Sequence, residues 1–170
     1  MNTTPASERI HIGIFGRTNA GKSSLINAIT NQEISLVSEI RGTTTDPVKK
    51  AMELLPLGPV VLIDTPGLDD RSQLGNLREK RTREVLKQIH MALIVVDVTE
   101  GVTTVETELE QWLKKEGILY LYVYNKIDCK TEAGKDAKID ENQELSVQVS
   151  SLTGENIEIL KEKMAELLSI

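Results

Sequence analysis

The 170-residue chain has a single cysteine, Cys129, so no internal disulfide can form and the sequence suits a reducing compartment. No apolar run approaches the roughly 18 to 20 residues needed to span a bilayer. The opening "MNTTPASER" has no apolar signal core, which predicts a cytoplasmic chain. There is no internal repeat and no low-complexity linker. The net charge of −6 argues against broad, sequence-independent nucleic-acid binding, although a local basic patch remains open. What is present is an ordinary globular mix, 39% apolar and 27% charged, in a length that fits one domain with a sizeable core. Residues 1–8 read as an N-terminal tail and 9–170 as that single domain.

Short apolar runs alternate with amphipathic stretches. "IHIGIF" (10–15) reads as a buried strand and "GKSSLINAIT" as the helix after it. "VVLIDTP" (60–66), "MALIVVDV" (91–98) and "ILYLYVYNK" (118–126) read as further strands, with "LSVQVS" (145–150) as the last. Unbroken Val, Ile and Leu runs are what a strand covered on both faces requires. After Thr103, an apolar stripe of Val105, Leu109, Trp112 and Leu113 predicts a helix. Thr103 with Glu106 has the form of a capping box, and Gly117 reads as the stop. Ile157, Leu160, Met164, Leu167 and Leu168 make a second stripe. The segment Leu77 to Ile89 is more charged, with Val85, Leu86 and Ile89 as its buried anchors. Two β-like runs flank "PLGP" and predict a hairpin with one antiparallel edge strand. The expected fold is therefore a three-layer α/β domain with a mostly parallel sheet of about six strands.

The residues between the first strand and helix carry chemistry. "GRTNAGKS" has the phosphate-loop spacing, and its strand-then-helix setting makes the motif credible. Gly16 and Gly21 let the backbone turn tightly around phosphates, and successive N–H groups form an anion-holding concavity at the helix N-terminus. Lys22 can neutralise the β- and γ-phosphates, and the Ser23 hydroxyl can ligate magnesium. Gly16, Arg17, Asn19, Ala20, Gly21, Lys22, Ser23 and Ser24 form the expected nucleotide-holding set. The competing account is a glycine-rich turn with a chance lysine.

Four further segments follow in order. "RGTTTDP" (41–47) could supply a threonine to the metal. Asp64 of "DTPG" can bind the metal through water, and the Gly67 N–H can sense a γ-phosphate. In "NKID" (Asn125, Lys126, Asp128) the Asp carboxylate can accept both N–H groups of a guanine edge, an arrangement adenine does not offer. Ser150, Ser151 and Leu152, after the last strand, can present a backbone N–H to the guanine carbonyl. One tetrapeptide alone is weak evidence. Together, each at a strand end, these segments point to GTP.

Over nearly its whole length the chain resembles the small Ras-like GTPases of the translation-factor-related class. "GRTNAGKSS" and "SEIRGTTTD" are similar to its potassium-activated, dimerising branch, which includes the tRNA-modifying GTPase MnmE. That resemblance implies Asn19 as a potassium ligand, with Ser38, Ile40 and Thr43 completing the cage. It also implies Thr44 as a magnesium ligand beside Ser23 and Asp64, and a G-domain homodimer. A cation near the β–γ bridge would stabilise charge that develops in the transition state. The competing account of Asn19 is a turn-former that tolerates left-handed geometry.

A narrower resemblance lies in "GTTTDPVKKAMELLPLGPVVLIDTPGLDD" and "SLTG", which look like the G domain of the HydF family of FeFe-hydrogenase maturation GTPases. MnmE-like proteins usually read "GTTRD" here, whereas this chain has Thr45 in place of that arginine, and Pro47 follows the motif. This resemblance implies a switch in hydrogenase cofactor maturation, with radical-SAM maturases and the hydrogenase as partners. It also implies an iron–sulfur cluster in a C-terminal region that is not part of this chain. Cys129, His11 and His90 are too widely separated to hold such a cluster. Either the chain is an excised N-terminal G domain, or the narrower assignment fails.

The catalytic set read from the motifs is Lys22, Thr44 and Gly67. Leu68 follows "DTPG", and an apolar side chain cannot orient an attacking water. Asp69, Asp70 and Glu79 are candidates for that task, each with a plain alternative as a solvated carboxylate. Arg17 or Arg41 could serve as an internal arginine finger. The interleaved glutamates of "LREKRTRE" favour a solvated helix face over a nucleic-acid surface. The expected function is magnesium-dependent binding of GTP and slow, cation-dependent hydrolysis to GDP and phosphate. The alternatives are an RNA-linked GTPase of the tRNA-modification or ribosome-assembly kind, and a GTP-gated binding module.

Overall fold

The strand Met91–Asp97 shows why its sequence is apolar at almost every position. Met91, Leu93 and Val95 feed one core and Ala92, Ile94 and Val96 another, so the pleat divides one continuous run between two covered faces. The computed structural model describes residues 9–30, 48–65, 75–129 and 145–169, without the side chains of 48, 75–79 and 81. Expectations that fall at 31–47, 66–74 and 130–144 therefore lie outside the described residues. Among them are Ser38, Ile40, Thr43, Thr44, Gly67, Asp69 and Asp70, as does the side chain of Glu79.

In chain order the elements are β1 (Ile10–Gly16), α1 (Lys22–Thr30), β2 (Val48–Leu54), β3 (Gly58–Asp64), α2 (Gly75–Leu86) and β4 (Met91–Asp97). Then come α3 (Thr104–Glu116), β5 (Leu119–Asn125), β6 (Ser146–Gln148) and α4 (Ile157–Leu167). They build one six-stranded sheet in the order β2-β3-β1-β4-β5-β6. β2 pairs antiparallel with β3 through a turn at 55–57, as the "PLGP" hairpin predicts, and every other pairing is parallel. Leu25, Ile26 and Ile29 of α1 and Leu160 and Met164 of α4 cover one face of the sheet. Val85 and Leu86 of α2 and Leu109 and Leu113 of α3 cover the other. This is the expected three-layer α/β architecture.

Local signals are honoured too. Thr103 and Glu106 form a complete capping box on α3, and Gly117 closes it in the left-handed conformation at φ 69°. Ile89 lies beyond α2 yet is buried with it. His11 and His90 are structural: the His11 N–H donates to His90 Nδ1 at 2.9 Å, and the His90 N–H to the His11 carbonyl at 2.8 Å. Trp112 packs half-buried against the second core, with the Arg83 guanidinium 5.4 Å from its ring centre. No helix of the described residues is long and apolar enough to cross a membrane.

Candidate functional site

Because β1, β3, β4, β5 and β6 run parallel, their carboxyl ends lie along one edge of the sheet, where ligands of open α/β sheets bind. Gly16, Asp64, Asp97 and Asn125 end four of these strands, and Ser150 and Ser151 follow the fifth. Segments distant in sequence thus converge on one line.

The loop between β1 and α1 turns where its small residues permit. The Ala20 N–H donates to the Arg17 carbonyl at 3.1 Å, with Asn19 at φ 72° and Gly21 at φ 92°. A Cβ on Gly21 would come within 2.5 Å of Asn125 Nδ2, and one on Gly16 within 2.9 Å of the Val95 carbonyl. Close approach as well as left-handed geometry therefore demands glycine at Gly21. Lys22 and Ser23 open α1, so their backbone N–H groups stand at a helix N-terminus suited to anions.

The segment expected to read the base is bolted to that loop. Asn125 is fully buried: Nδ2 donates to the Ala20 carbonyl at 3.2 Å, while Oδ1 accepts the Ser151 N–H at 3.0 Å. One amide thus ties together the phosphate loop, β5 and the segment after β6. Lys126 donates to the Asn19 carbonyl at 2.6 Å and pairs with Asp97 at 3.1 Å. Ser24 and Ser151 meet hydroxyl to hydroxyl at 3.0 Å. Asp128 is exposed, and its Oδ1 accepts from the Ser150 hydroxyl at 2.7 Å. That hydrogen bond is the main reason its carboxyl is held below the usual carboxylate range. Leu152 is largely exposed beside it, at 80%.

Asp64 behaves in the opposite way. Burial pushes its carboxyl pKa upward, partly offset by the charge of Lys22, and its Oδ1 is buried without a hydrogen-bond partner among the described residues. An acceptor that is costly to leave unsatisfied, close to a phosphate loop, fits a hydrated cation. Asp64 and Ser23 are the described residues that would hold such a cation, together with phosphate oxygens. That sparse set suits magnesium, which keeps its waters and takes one or two carboxylates plus phosphates.

Two features were not read from the sequence. Asp97 was not singled out, yet it anchors Lys126. Burial works against its charge, but hydrogen bonds from Thr99 and Lys126 outweigh that and hold its carboxyl below the ordinary value. Arg17 was one of two candidates for an internal finger, but its guanidinium is engaged at the start of α3: Nε donates to Glu106 Oε2 at 2.7 Å and Nη2 to the Gly101 carbonyl at 2.7 Å. Glu106 had a visible cap signal, but no local pattern announces a partner 89 residues away. Cys129 is exposed, and desolvation followed by the Asp128 carboxylate raises its thiol pKa, the opposite of an activated thiol.

Comparison with known proteins agrees with this geometry. Residues 11–126 match the family described as 50S ribosome-binding GTPase. GTPase Der of Helicobacter hepaticus is 31% identical over 179 residues, covering 98% of this chain and 37% of its own length. The tRNA modification GTPase MnmE of Chromobacterium violaceum is 34% identical over 164 residues, covering 95% of this chain and 35% of its own. The chain thus spans little more than a third of these relatives. Among solved structures, Era in complex with MgGDPNP and part of 16S ribosomal RNA superposes with a TM-score of 0.73 at 26% identity, covering 92% of this chain and 56% of that one. The G domain of the T. maritima FeoB iron transporter gives 0.67 at 27%, covering 95% of this chain and 99% of that one.

These relatives correct the HydF reading: near-full-length similarity runs to proteins named Der and MnmE, and no HydF name appears among them. The residues that suggested HydF, Thr45 and Pro47 above all, are two positions set against similarity that runs along the chain. The hydrogenase role, its maturase partners and the distal iron–sulfur cluster lose their basis with it. The chain belongs to the 50S ribosome-binding GTPase family and is a P-loop GTPase domain.

Proposed function

We propose that this domain is the magnesium-dependent GTP-hydrolysing switch of an RNA-linked GTPase, of the ribosome-assembly or tRNA-modification kind. The observation that carries the GTP part is the Asn125 clamp, which binds the guanine-reading segment to the phosphate loop through the Ala20 carbonyl and the Ser151 N–H. The RNA link is supported by the family description, 50S ribosome-binding GTPase, and by the relative named tRNA modification GTPase MnmE.

In this reading Asp128 accepts from the guanine edge while its Ser150 bond keeps it ionised, and the Ser151 segment supplies a donor to the guanine carbonyl. Lys22 and the N–H groups at the start of α1 hold the phosphates, and Gly21 lets the backbone approach them. Ser23 and Asp64, together with Thr44, would hold magnesium, which would supply neutralising charge at the phosphates. Gly67 senses the γ-phosphate. Asn19, exposed at the turn of the loop, presents its amide to potassium with Ser38, Ile40 and Thr43, and two G domains pair around their nucleotides. Asp69, Asp70 and Glu79 are the candidates to orient water.

The test is GTP turnover in potassium and in sodium at matched ionic strength, with and without 50S subunits or tRNA, alongside Asn19→Ala. Stimulation by potassium of about tenfold, or ~1.4 kcal/mol of barrier, lost in the variant, and further stimulation by one of the RNA partners, is the expected result. Equal, near-zero rates in every condition with GTP binding intact would favour the second reading, a GTP-gated binding module. The observation behind that reading is Leu68, an apolar residue where a water-orienting side chain would stand.

A further inference from the structure

Glu106 has no exposed surface, and a buried carboxylate is retained only where its partners repay its lost hydration. Its two oxygens have separate tasks. Oε1 accepts the Thr103 N–H at 2.6 Å and the Thr103 hydroxyl at 2.7 Å, which closes the cap of α3. Oε2 accepts Nε–H of Arg17 at 2.7 Å. Capping α3 needs only the first of these, and an exposed glutamate would do it. The second ties down a residue of the phosphate loop.

Arg17 is gripped at two further points: its Nη2 donates to the Gly101 carbonyl at 2.7 Å, and its Nη1 lies 3.5 Å from Glu100. Its own carbonyl accepts the Ala20 N–H that defines the turn of the loop. The guanidinium is thus anchored at α3 while the backbone of the same residue starts the curve around the phosphates. We propose that Glu106 is a positioning residue for the phosphate loop: acting through Arg17, it holds the loop backbone in its phosphate-gripping shape. This rests on the reading of that loop as the GTP site. Arg17 is then a strut and not an arginine finger.

The two roles separate cleanly. A strut shapes the cradle for phosphates common to GTP and GDP, so its loss weakens both nucleotides alike and raises KM. A finger acts on transition-state charge, so its loss lowers kcat. The experiment is equilibrium binding of methylanthraniloyl-GTP and methylanthraniloyl-GDP to the whole chain, with steady-state GTP hydrolysis and thermal unfolding alongside. The variants are Glu106→Gln, Arg17→Met, their double and Thr103→Ala.

We expect Glu106→Gln and Arg17→Met each to weaken both nucleotides roughly tenfold, as loss of a charge-assisted hydrogen bond implies, with the loss in KM rather than kcat. The double variant should bind no worse than either single one, because both remove the same strut. Thr103→Ala should lower the melting temperature without changing nucleotide affinity. The proposal is overturned if Glu106→Gln behaves like Thr103→Ala, or if Arg17→Met lowers kcat at unchanged affinity. If Glu106→Gln does not fold, Arg17→Met decides alone. Failure of the wild-type chain to bind either probe would instead sink the GTP-site reading.

Discussion

Asp128 and Asp64 stand along the same sheet edge, at the base end and the phosphate end of the site, and their carboxyl groups are perturbed in opposite senses. Asp128 is exposed, accepts the Ser150 hydroxyl and is held below its ordinary pKa. Asp64 is partly buried, keeps an oxygen with no hydrogen-bond partner among the described residues, and is pushed above it. The protein alone satisfies the first group, which is poised as a ready acceptor. The second is strained by its surroundings, and a cation would relieve it. If these two carboxylates serve the base and the phosphates as proposed, the first needs no ligand to be held in place, whereas the second gains stability from a bound cation.

The largest effect expected from this contrast is on base selection. Asp128→Asn replaces an acceptor-only group with one that presents a donor to the guanine N–H groups, and GTP affinity should fall about 100-fold in a competition assay. A loss of only a few fold would remove Asp128 from the recognition set. Next comes the clamp between the two ends. Asn125→Ala leaves the Ala20 carbonyl and Ser151 N–H without their buried partner and should cost about 2 kcal/mol in denaturant unfolding. A smaller and opposite effect is expected at the phosphate end. Asp64→Asn should stabilise the nucleotide-free chain by about 1 kcal/mol, because it removes a penalised charge, while abolishing stabilisation by magnesium with GTP. A destabilised variant would show that Asp64 is satisfied as it stands.

The smallest effect is in pH. Asp64 has a folded pKa above the unfolded 3.8, so its ionised form costs stability once pH exceeds the folded value, and that cost disappears below 3.8. The stability gap between wild type and Asp64→Asn should therefore close on acidification. Asp97 runs the other way: its pKa is depressed, so its contribution is fully present above 3.8 and fades as pH falls through the lower folded value. Thermal melts of wild type, Asp64→Asn and Asp97→Asn across this range separate the two.

Much of this was legible in the chain because the signals are local. β4 is an unbroken apolar run since both its faces are covered, and "PLGP" marks the hairpin to within a residue or two. Gly21 and Asn19 announce the loop because left-handed backbone restricts residue choice. What was missed depends on distance. Asn125 was legible as part of a base-reading tetrapeptide but not as a clamp reaching back 105 residues, and Glu106 was legible as a cap but not as the anchor of Arg17. The HydF reading failed for a related reason, since a few residues were weighed above similarity along the length of the chain.

The pairing of α1 with α4 in one core bears on how the chain is made. Leu25, Ile26 and Ile29 come early in the chain, whereas Leu160 and Met164, which share their core, come late. β6 and the Ser151 segment that Asn125 grips are nearly as late. A nascent chain halted before β6 would leave α1 without its α4 neighbours and Asn125 without the Ser151 N–H. GTP or GDP binding by stalled chains of increasing length is therefore expected to switch on only once α4 can dock.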